Sequence, residues 1–217
     1  MALGFVVAIG IWIWLARRQE ELRTSYAASL RDQLAAGGVC RIPQLDALDQ
    51  ADGRLAGRSV ALTVDRGQPK LTKADEALDR DLLAVYQRKL ALYQQAFHAL
   101  VLDQEQRRES LEKLSRAGQR MWTERERKTA AWADGLLQDR VQAADDLAAS
   151  LKQLGDDTAE LAAALTGVLA RPSEKAAADR LQRFHFKADL RAARTACEQR
   201  SAKAGTALAG ALTALSE

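Results

Sequence analysis

The sequence holds few of the residues that break helices or build catalytic sites. Prolines number three, histidines two and cysteines two, and aromatic residues make up only 5% of the chain. Hydrophobic residues nonetheless reach 47% of the 217 positions, and alanine and leucine supply most of that apolar mass. Abundant Ala, Leu, Arg, Glu and Gln with few helix breakers is typical of long-helix and coiled-coil proteins. The composition therefore predicts an all-α fold.

The chain also lacks a long run of charge of one sign. Its formal net charge is +3, but between Asp103 and Lys128 eight basic residues are interspersed with six acidic ones. A phosphate-binding stripe needs positive charge concentrated on one face. Mixed charge of this kind is typical of a solvated helix surface, so we expect no nucleic-acid partner.

The motifs that carry catalysis or bind metals are absent from the sequence. His98 and His185 are the two histidines, and neither stands beside a cysteine or carboxylate at ligand or triad spacing. No glycine-rich phosphate loop occurs, and the acidic pairs have no histidine nearby. We therefore predict no enzymatic activity, no catalytic residue, no metal, no cofactor and no small-molecule substrate.

Cys40 and Cys197 are the two cysteines, and their spacing resembles no metal-binding motif. Two cysteines form one disulfide in an oxidising compartment, or stay as buried thiols in a reducing one. Cysteine content therefore leaves the compartment open.

The N-terminal segment is the most informative part of the sequence. Met1–Ala16 carries no side-chain charge, and Arg17 and Arg18 follow it directly. A secretory signal has its basic residues before the apolar core, so cleavage is not expected. Sixteen residues make about 24 Å of helix, slightly short of a hydrocarbon core of roughly 30 Å. Snorkelling arginines and interfacial Trp12 and Trp14 cover that deficit, which predicts a single transmembrane anchor. The alternative is a buried hydrophobic helix of a bundle.

The charge distribution around this segment also predicts its orientation. No basic side chain precedes the apolar run, whereas three arginines follow it closely. The positive-inside rule then predicts a single-pass protein of the plasma (bacterial inner) membrane whose body lies in the cytoplasm. A periplasmic body is the alternative.

The rest of the chain reads as helices joined by one irregular region. Leu22, Tyr26, Leu30 and Leu34 form an apolar stripe that continues the N-terminal helix. The chain divides into a transmembrane anchor at 1–18, a juxtamembrane helix at 19–36, an irregular linker with a short helix and an extended segment at 37–71, a long helical hairpin or coiled coil at 72–171, and a C-terminal helix with a small-residue tail at 172–217.

The extended segment is the stretch "RSVALTVDRGQP", in which apolar residues alternate. No second strand is evident to pair with it. We interpret it as an extended linker or, alternatively, as a strand that pairs with a partner's sheet edge.

Two apolar seams with three- and four-residue spacing follow the linker, as in coiled coils or helical hairpins. Gly118 lies between them and marks a turn, unless one rod continues through it. The predicted interaction seam consists of Leu83, Tyr86, Leu90, Tyr93, Phe97 and Leu100 in the first helix and Leu147, Leu151, Leu154, Leu161, Leu165 and Val168 in the second.

These features favour a membrane-anchored helical scaffold or accessory subunit that acts through protein–protein contacts in a membrane complex. Membrane lipid, further copies of the chain and other subunits of such a complex are the expected partners. A signal-relaying regulatory stalk is one alternative. Another is a periplasmic adaptor with a Cys40–Cys197 disulfide.

Overall fold

The computed structural model describes residues 2–35, 42–55, 63–65, 68–70, 72–171 and 175–216. Side chains at 2–8, 52–55, 63–65, 68–70, 74 and 216 are outside that description. The described residues form six helices, which confirms the all-α prediction. They are α1 (Ala2–Ala35), α2 (Pro43–Leu55), α3 (Lys73–Gln119), α4 (Glu124–Ala170), α5 (Lys175–Arg183) and α6 (Leu190–Ser216).

A small two-stranded sheet interrupts the helices. Strand β1 (Thr63–Asp65) pairs antiparallel with β2 (Gln68–Lys70), with Val64 opposite Pro69. The expectation that the extended segment finds no strand within the chain is therefore wrong. The two short strands lie close together in the chain and satisfy each other's backbone groups, because an antiparallel hairpin needs only a short connection.

Helix α1 continues from the apolar segment into the juxtamembrane stripe without a break, as predicted. Among the residues whose side chains are described, no helix carries an apolar stretch long enough to cross a membrane. The transmembrane anchor at Met1–Ala16 therefore stays a prediction.

The chain packs as two units, each made of several separate segments. Unit 1 comprises Met1–Val39, Asp103–Ala144 and Ala196–Glu217, and unit 2 comprises Cys40–Leu102 and Asp145–Thr195. Helices α3, α4 and α6 contribute residues to both units. This division cuts across the segments read from the sequence, because contacts between distant helices, rather than chain order, decide which residues pack together.

Unit 1 contains an apolar core contributed by four helices and the α3–α4 turn. Leu22 and Leu34 of the predicted stripe pack against this core, as do Leu111, Ala117, Leu136 and Leu212. The core residues are Tyr26 and Leu30 of α1, Leu114 of α3, Met121 of the turn, Ala130, Ala133 and Leu137 of α4, and Leu208, Ala211 and Leu215 of α6.

The chain turns at residues 120–123, so two helices occur here and not one continuous rod. Helix α3 ends at Gln119, and α4 begins at Glu124. Thr123 and Glu126 form a capping box: the Glu126 N–H donates to Thr123 Oγ1 at 3.2 Å, and the Thr123 N–H donates to Glu126 Oε2 at 3.0 Å. The same reciprocal arrangement joins Thr72 and Asp75 at the start of α3.

Unit 2 is held together by charged groups as well as by its core. The Arg194 guanidinium of α6 donates to Asp49 at 2.6 Å and to Asp46 at 3.2 Å, both in α2. The buried Asp157 carboxylate of α4 accepts the Lys187 backbone N–H at 2.8 Å, which fixes the segment that precedes α6. Burial raises the pKa of Asp157, but hydrogen bonds from Lys187 and Gln153 outweigh it and hold this pKa below its usual range.

The C-terminal region differs from the single helix with a small-residue tail that the sequence predicts. Two helices occur there, α5 and α6, and residues 184–189 separate them. The small-residue tail is helical and packed, since Leu208, Ala211 and Leu215 are buried. Small residues favour such close packing once partner helices are present, and the tail finds those partners in unit 1.

Gly118 provides a test of the packing in unit 1. A Cβ atom at this position would lie 2.8 Å from the Ala130 Cβ and 3.3 Å from the Tyr26 ring. We expect Gly118→Ala to lower the free energy of unfolding by about 1–3 kcal/mol, because the added methyl group overpacks the contact of α3 with α1 and α4. Chemical denaturation followed by circular dichroism measures this change.

Gly135 of α4 is the matched control, because a Cβ atom there meets nothing within 4 Å. Gly135→Ala should raise the free energy of unfolding by roughly 0.5–1 kcal/mol through reduced backbone entropy. Equal effects of the two substitutions would contradict the close approach of α1, α3 and α4.

Candidate functional site

The most unusual surface in unit 1 is the apolar first half of α1. Every large apolar side chain from position 9 to position 15 is exposed. The exposed fractions are 45% for Ile9, 54% for Ile11, 62% for Trp12, 45% for Ile13, 56% for Trp14 and 38% for Leu15. Seven consecutive positions cover almost two helical turns, so these side chains point to all sides of the helix. An amphipathic helix would instead hide one face.

The four residues predicted to anchor the chain lie together at the end of this segment. Trp12, Trp14, Arg17 and Arg18 are all exposed. The Arg18 guanidinium lies 5.2 Å from the centre of the Trp14 ring, which is within cation–π range. Aromatic rings and arginines are thus adjacent where the apolar run ends.

Packing of α1 begins at the end of the apolar run. Ala16 and Gln19 are partly covered, and Tyr26, Ala27 and Leu30 are buried. The spacing of three and four residues shows that α1 now hides one face only. One continuous helix therefore changes from all-round exposure to one-sided burial near Arg17–Arg18.

The contacts of α1 and α6 with α4 show in which direction each helix runs and which helix ends lie together in unit 1. Tyr26 contacts Ala130 and Asp134, and Gln33 contacts Arg140, so α1 and α4 run parallel. Ser201 contacts Arg140 and Gly210 lies beside Trp132, so α6 is antiparallel to α4. The α3–α4 turn and the end of α6 are thus at the end of unit 1 from which the apolar segment projects. With Tyr26 level with residues 130–134, the start of α4 is level with about residues 16–20.

A buried polar contact fixes this register. The Tyr26 hydroxyl lies 3.2 Å from the Ala130 carbonyl oxygen and 3.2 Å from Asp134 Oδ1. Burial raises the pKa of Asp134, although hydrogen bonds from Ser115 and Tyr26 oppose that effect. Burial also raises the pKa of the Tyr26 hydroxyl, and the neighbouring Asp134 charge adds to the shift.

Arg140 of α4 ties the other end of α1 to unit 1. Its Nη1 donates to the Gln33 carbonyl oxygen at 3.1 Å, in the last turn of α1, where carbonyls lack intrahelical partners. Its Nε donates to Ser201 Oγ of α6 at 3.3 Å. Burial lowers the pKa of Arg140, and the charge of Arg107 lowers it further.

The predicted interaction seam lies in unit 2, and most of its side chains are buried there. Its buried members are Tyr93, Leu100, Leu147, Leu151, Leu154, Leu161, Leu165 and Val168. Leu83, Tyr86, Leu90 and Phe97 are partly covered. A Cβ atom on Gly155 would lie 3.6 Å from the Tyr93 Cβ, so the two seam helices contact each other there. Whether the seam also serves partner contacts stays a prediction.

Candidate chemistry elsewhere is sparse among the residues that the structure describes. His98 and His185 are both exposed, and His98 makes an edge contact with Phe97. No group of three His, Cys, Asp or Glu side chains that could hold a metal ion occurs in that part of the chain. Cys197 is buried and disulfide-bonded. Cys40, its partner in the sequence-based alternative, lies outside the described residues.

Two features of this site were not anticipated from the sequence. The Tyr26–Asp134 contact joins residues that are far apart in the chain, and neither residue carries a local signal for it. The start of α4 did have a signal, because Thr123 and Glu126 match the capping-box pattern directly after Trp122.

Comparisons with known proteins find no matching family model, no matching curated protein and no matching solved structure.

Asp134 gives unit 1 a specific pH dependence. A carboxyl whose pKa is raised on folding stabilises the fold while protonated, and that stabilisation is lost as pH rises through the folded-state pKa. We expect Asp134→Asn to raise the free energy of unfolding at pH 7, because no buried charge remains and the amide oxygen still accepts from Tyr26. The difference from the parent protein should shrink as the pH falls into the range where carboxyls protonate.

Urea denaturation across this pH range measures the effect. Asp139→Asn is the control, since Asp139 is an exposed carboxylate of the same helix. If Asp139→Asn and Asp134→Asn changed stability equally at every pH, the burial of Asp134 would not be the cause.

Proposed function

We propose that the chain is a membrane-anchored helical scaffold or accessory subunit. In this proposal the first half of α1 lies in a lipid bilayer, and the helical body makes protein–protein contacts in a membrane complex. The observation that carries the proposal is the all-round exposure of the apolar side chains from Ile9 to Leu15.

The geometry of that exposure favours lipid over a protein partner. A docked helix or groove covers one side of α1 and leaves the opposite apolar side chains in water. A bilayer surrounds a helix completely, and burial of apolar surface is favourable by roughly 25 cal/mol per Å². Tryptophan and arginine at the end of the run are the residues that prefer the membrane–water interface.

Large apolar side chains on the helical body support the scaffold part of the proposal. In unit 2, Leu102 is 58% exposed, Phe186 40% and Leu78 37%. These exposed side chains are candidates for partner contacts beside the predicted interaction seam. Affinity purification from detergent-solubilised membranes, followed by identification of the copurifying proteins, tests this part.

The anchor itself is tested by a single charge. Ile9 lies near the centre of the apolar run and its side chain is 45% exposed. Ile9→Asp should disfavour insertion by about 3 kcal/mol, which is roughly a hundredfold in partitioning, because a carboxylate is costly at that depth. Flotation of the purified protein with lipid vesicles measures the change.

Ala28→Asp is the control for the anchor test, since Ala28 is exposed on the same helix but lies beyond Arg18. This variant should float with vesicles as the parent protein does. Flotation of the parent protein that is unaffected by Ile9→Asp, or no flotation of the parent protein at all, would rule out the proposed anchor.

A periplasmic adaptor is the second candidate, and the disulfide at Cys197 supports it. Disulfides persist in oxidising compartments and are rare in the cytosol. The positive charge after the apolar run favours a cytoplasmic body instead. The two forms of the proposal therefore make opposite predictions about the thiols in the cell.

Thiol trapping at cell lysis distinguishes the periplasmic from the cytoplasmic body. For a periplasmic body we expect an alkylating reagent, added at lysis, to label neither Cys40 nor Cys197 until the protein is reduced. The Cys197→Ser variant is the control, because its remaining thiol should be labelled without reduction. Complete labelling of the parent protein before reduction would reject the periplasmic candidate and leave the cytoplasmic one.

A further inference from the structure

We propose that the α3–α4 turn, residues 120–123, is a second contact with the bilayer, in which the Trp122 side chain lies among the lipid headgroups. This is the turn contact. This inference rests on the proposed membrane anchor in α1, and it adds a surface of the helical body to that anchor.

The position of the turn is the first argument. The turn directly precedes Glu124, and the start of α4 is level with about residues 16–20 of α1. The apolar run ends in the same interval, at Arg17–Arg18. The turn thus lies within about one or two helical turns, roughly 5–10 Å, of the end of the run. That distance matches the depth of the interfacial region of a bilayer.

The exposure of Trp122 is the second argument. Its side chain is 49% exposed, whereas its neighbour Met121 is 2% exposed and belongs to the core of unit 1. Of the two apolar residues of the turn, Met121 is therefore buried in the core, whereas the larger Trp122 is not. A tryptophan ring has an apolar body and a polar N–H group, which is the combination that favours the headgroup level.

The charge around the turn is the third argument. From Arg116 to Lys128 the chain carries five basic residues and two acidic ones. Arg116 pairs with Glu112, and Lys128 with Glu124, but these are exposed surface pairs of small energetic value. Arg120 is exposed and forms no ion pair among the described residues. Phosphate groups of anionic lipid complement this excess of positive charge.

Trp132 provides a matched comparison within the same unit. Its side chain is also 49% exposed. It lies ten positions further along the chain, which places it roughly 15 Å deeper into the helical body than the turn. A general affinity of exposed tryptophan for lipid would affect Trp122 and Trp132 alike, whereas the turn contact affects Trp122 alone.

Three single-tryptophan variants test the turn contact. Each retains Trp14, Trp122 or Trp132, and the other three tryptophans are replaced by phenylalanine. The full-length variants are reconstituted in vesicles of equal parts phosphatidylethanolamine and phosphatidylglycerol, with or without lipids brominated on the acyl chain close to the headgroup. Circular dichroism verifies that the three variants have equal helix content.

Bromine quenches tryptophan fluorescence only at short range, so the three variants report depth. We expect strong quenching of Trp14 and several-fold more quenching of Trp122 than of Trp132. Quenching of Trp14 with equal, low quenching of Trp122 and Trp132 would overturn the turn contact and leave the anchor intact. No quenching of Trp14 would overturn the anchor and the turn contact together.

Discussion

The lengthwise position of α1 against α3 and α4 is the constraint on which the rest of unit 1 depends. The Tyr26 hydroxyl reaches Ala130 and Asp134, and Gly118 lets α3 approach both Tyr26 and Ala130. Because α1 is one uninterrupted helix, this contact also decides how much of its apolar half projects beyond the body. A shift by one helical turn would move the exposed tryptophans and arginines of α1 together by roughly 5 Å relative to the α3–α4 turn.

Buried polar contacts help to fix this position beside the apolar core. Alanine contributes three of the ten core residues of unit 1, and leucine, tyrosine and methionine contribute the other seven. The buried Asp134 and Arg140 cost free energy, since a charge loses its hydration on burial. In return their hydrogen bonds are satisfied in one register, with Tyr26 for Asp134 and with Gln33 and Ser201 for Arg140. The two buried charges therefore lower the free energy of unfolding of unit 1, while their hydrogen bonds define the position of α1.

Periodicity predicted the helices well, because apolar spacing is a local property of the chain. The stripe from Leu22 to Leu34 follows from this spacing, and the capping box at Thr72 and the break near Gly118 follow from other local patterns. Periodicity could not reveal the Tyr26–Asp134 contact, which depends on how distant helices pack. It also missed the pairing of β1 with β2 and the break before α6, since Asp157 holds that break from another helix. The anchor is predicted from the apolar run and the residues at its end, which are local features, whereas the proposed contribution of Trp122 depends on the register of α1 against α4.

The proposed function requires that α1 passes from lipid into a packed bundle within a few residues of Arg18. Hydrogen exchange of the parent protein in lipid nanodiscs, read by mass spectrometry on peptides of α1, measures this directly. The amides of residues 2–16 should stay protected in a denaturant concentration that unfolds the body, because no water reaches them in the bilayer. The amides of residues 20–35 should lose protection together with the body. Loss of protection in both segments at the same denaturant concentration would contradict the account.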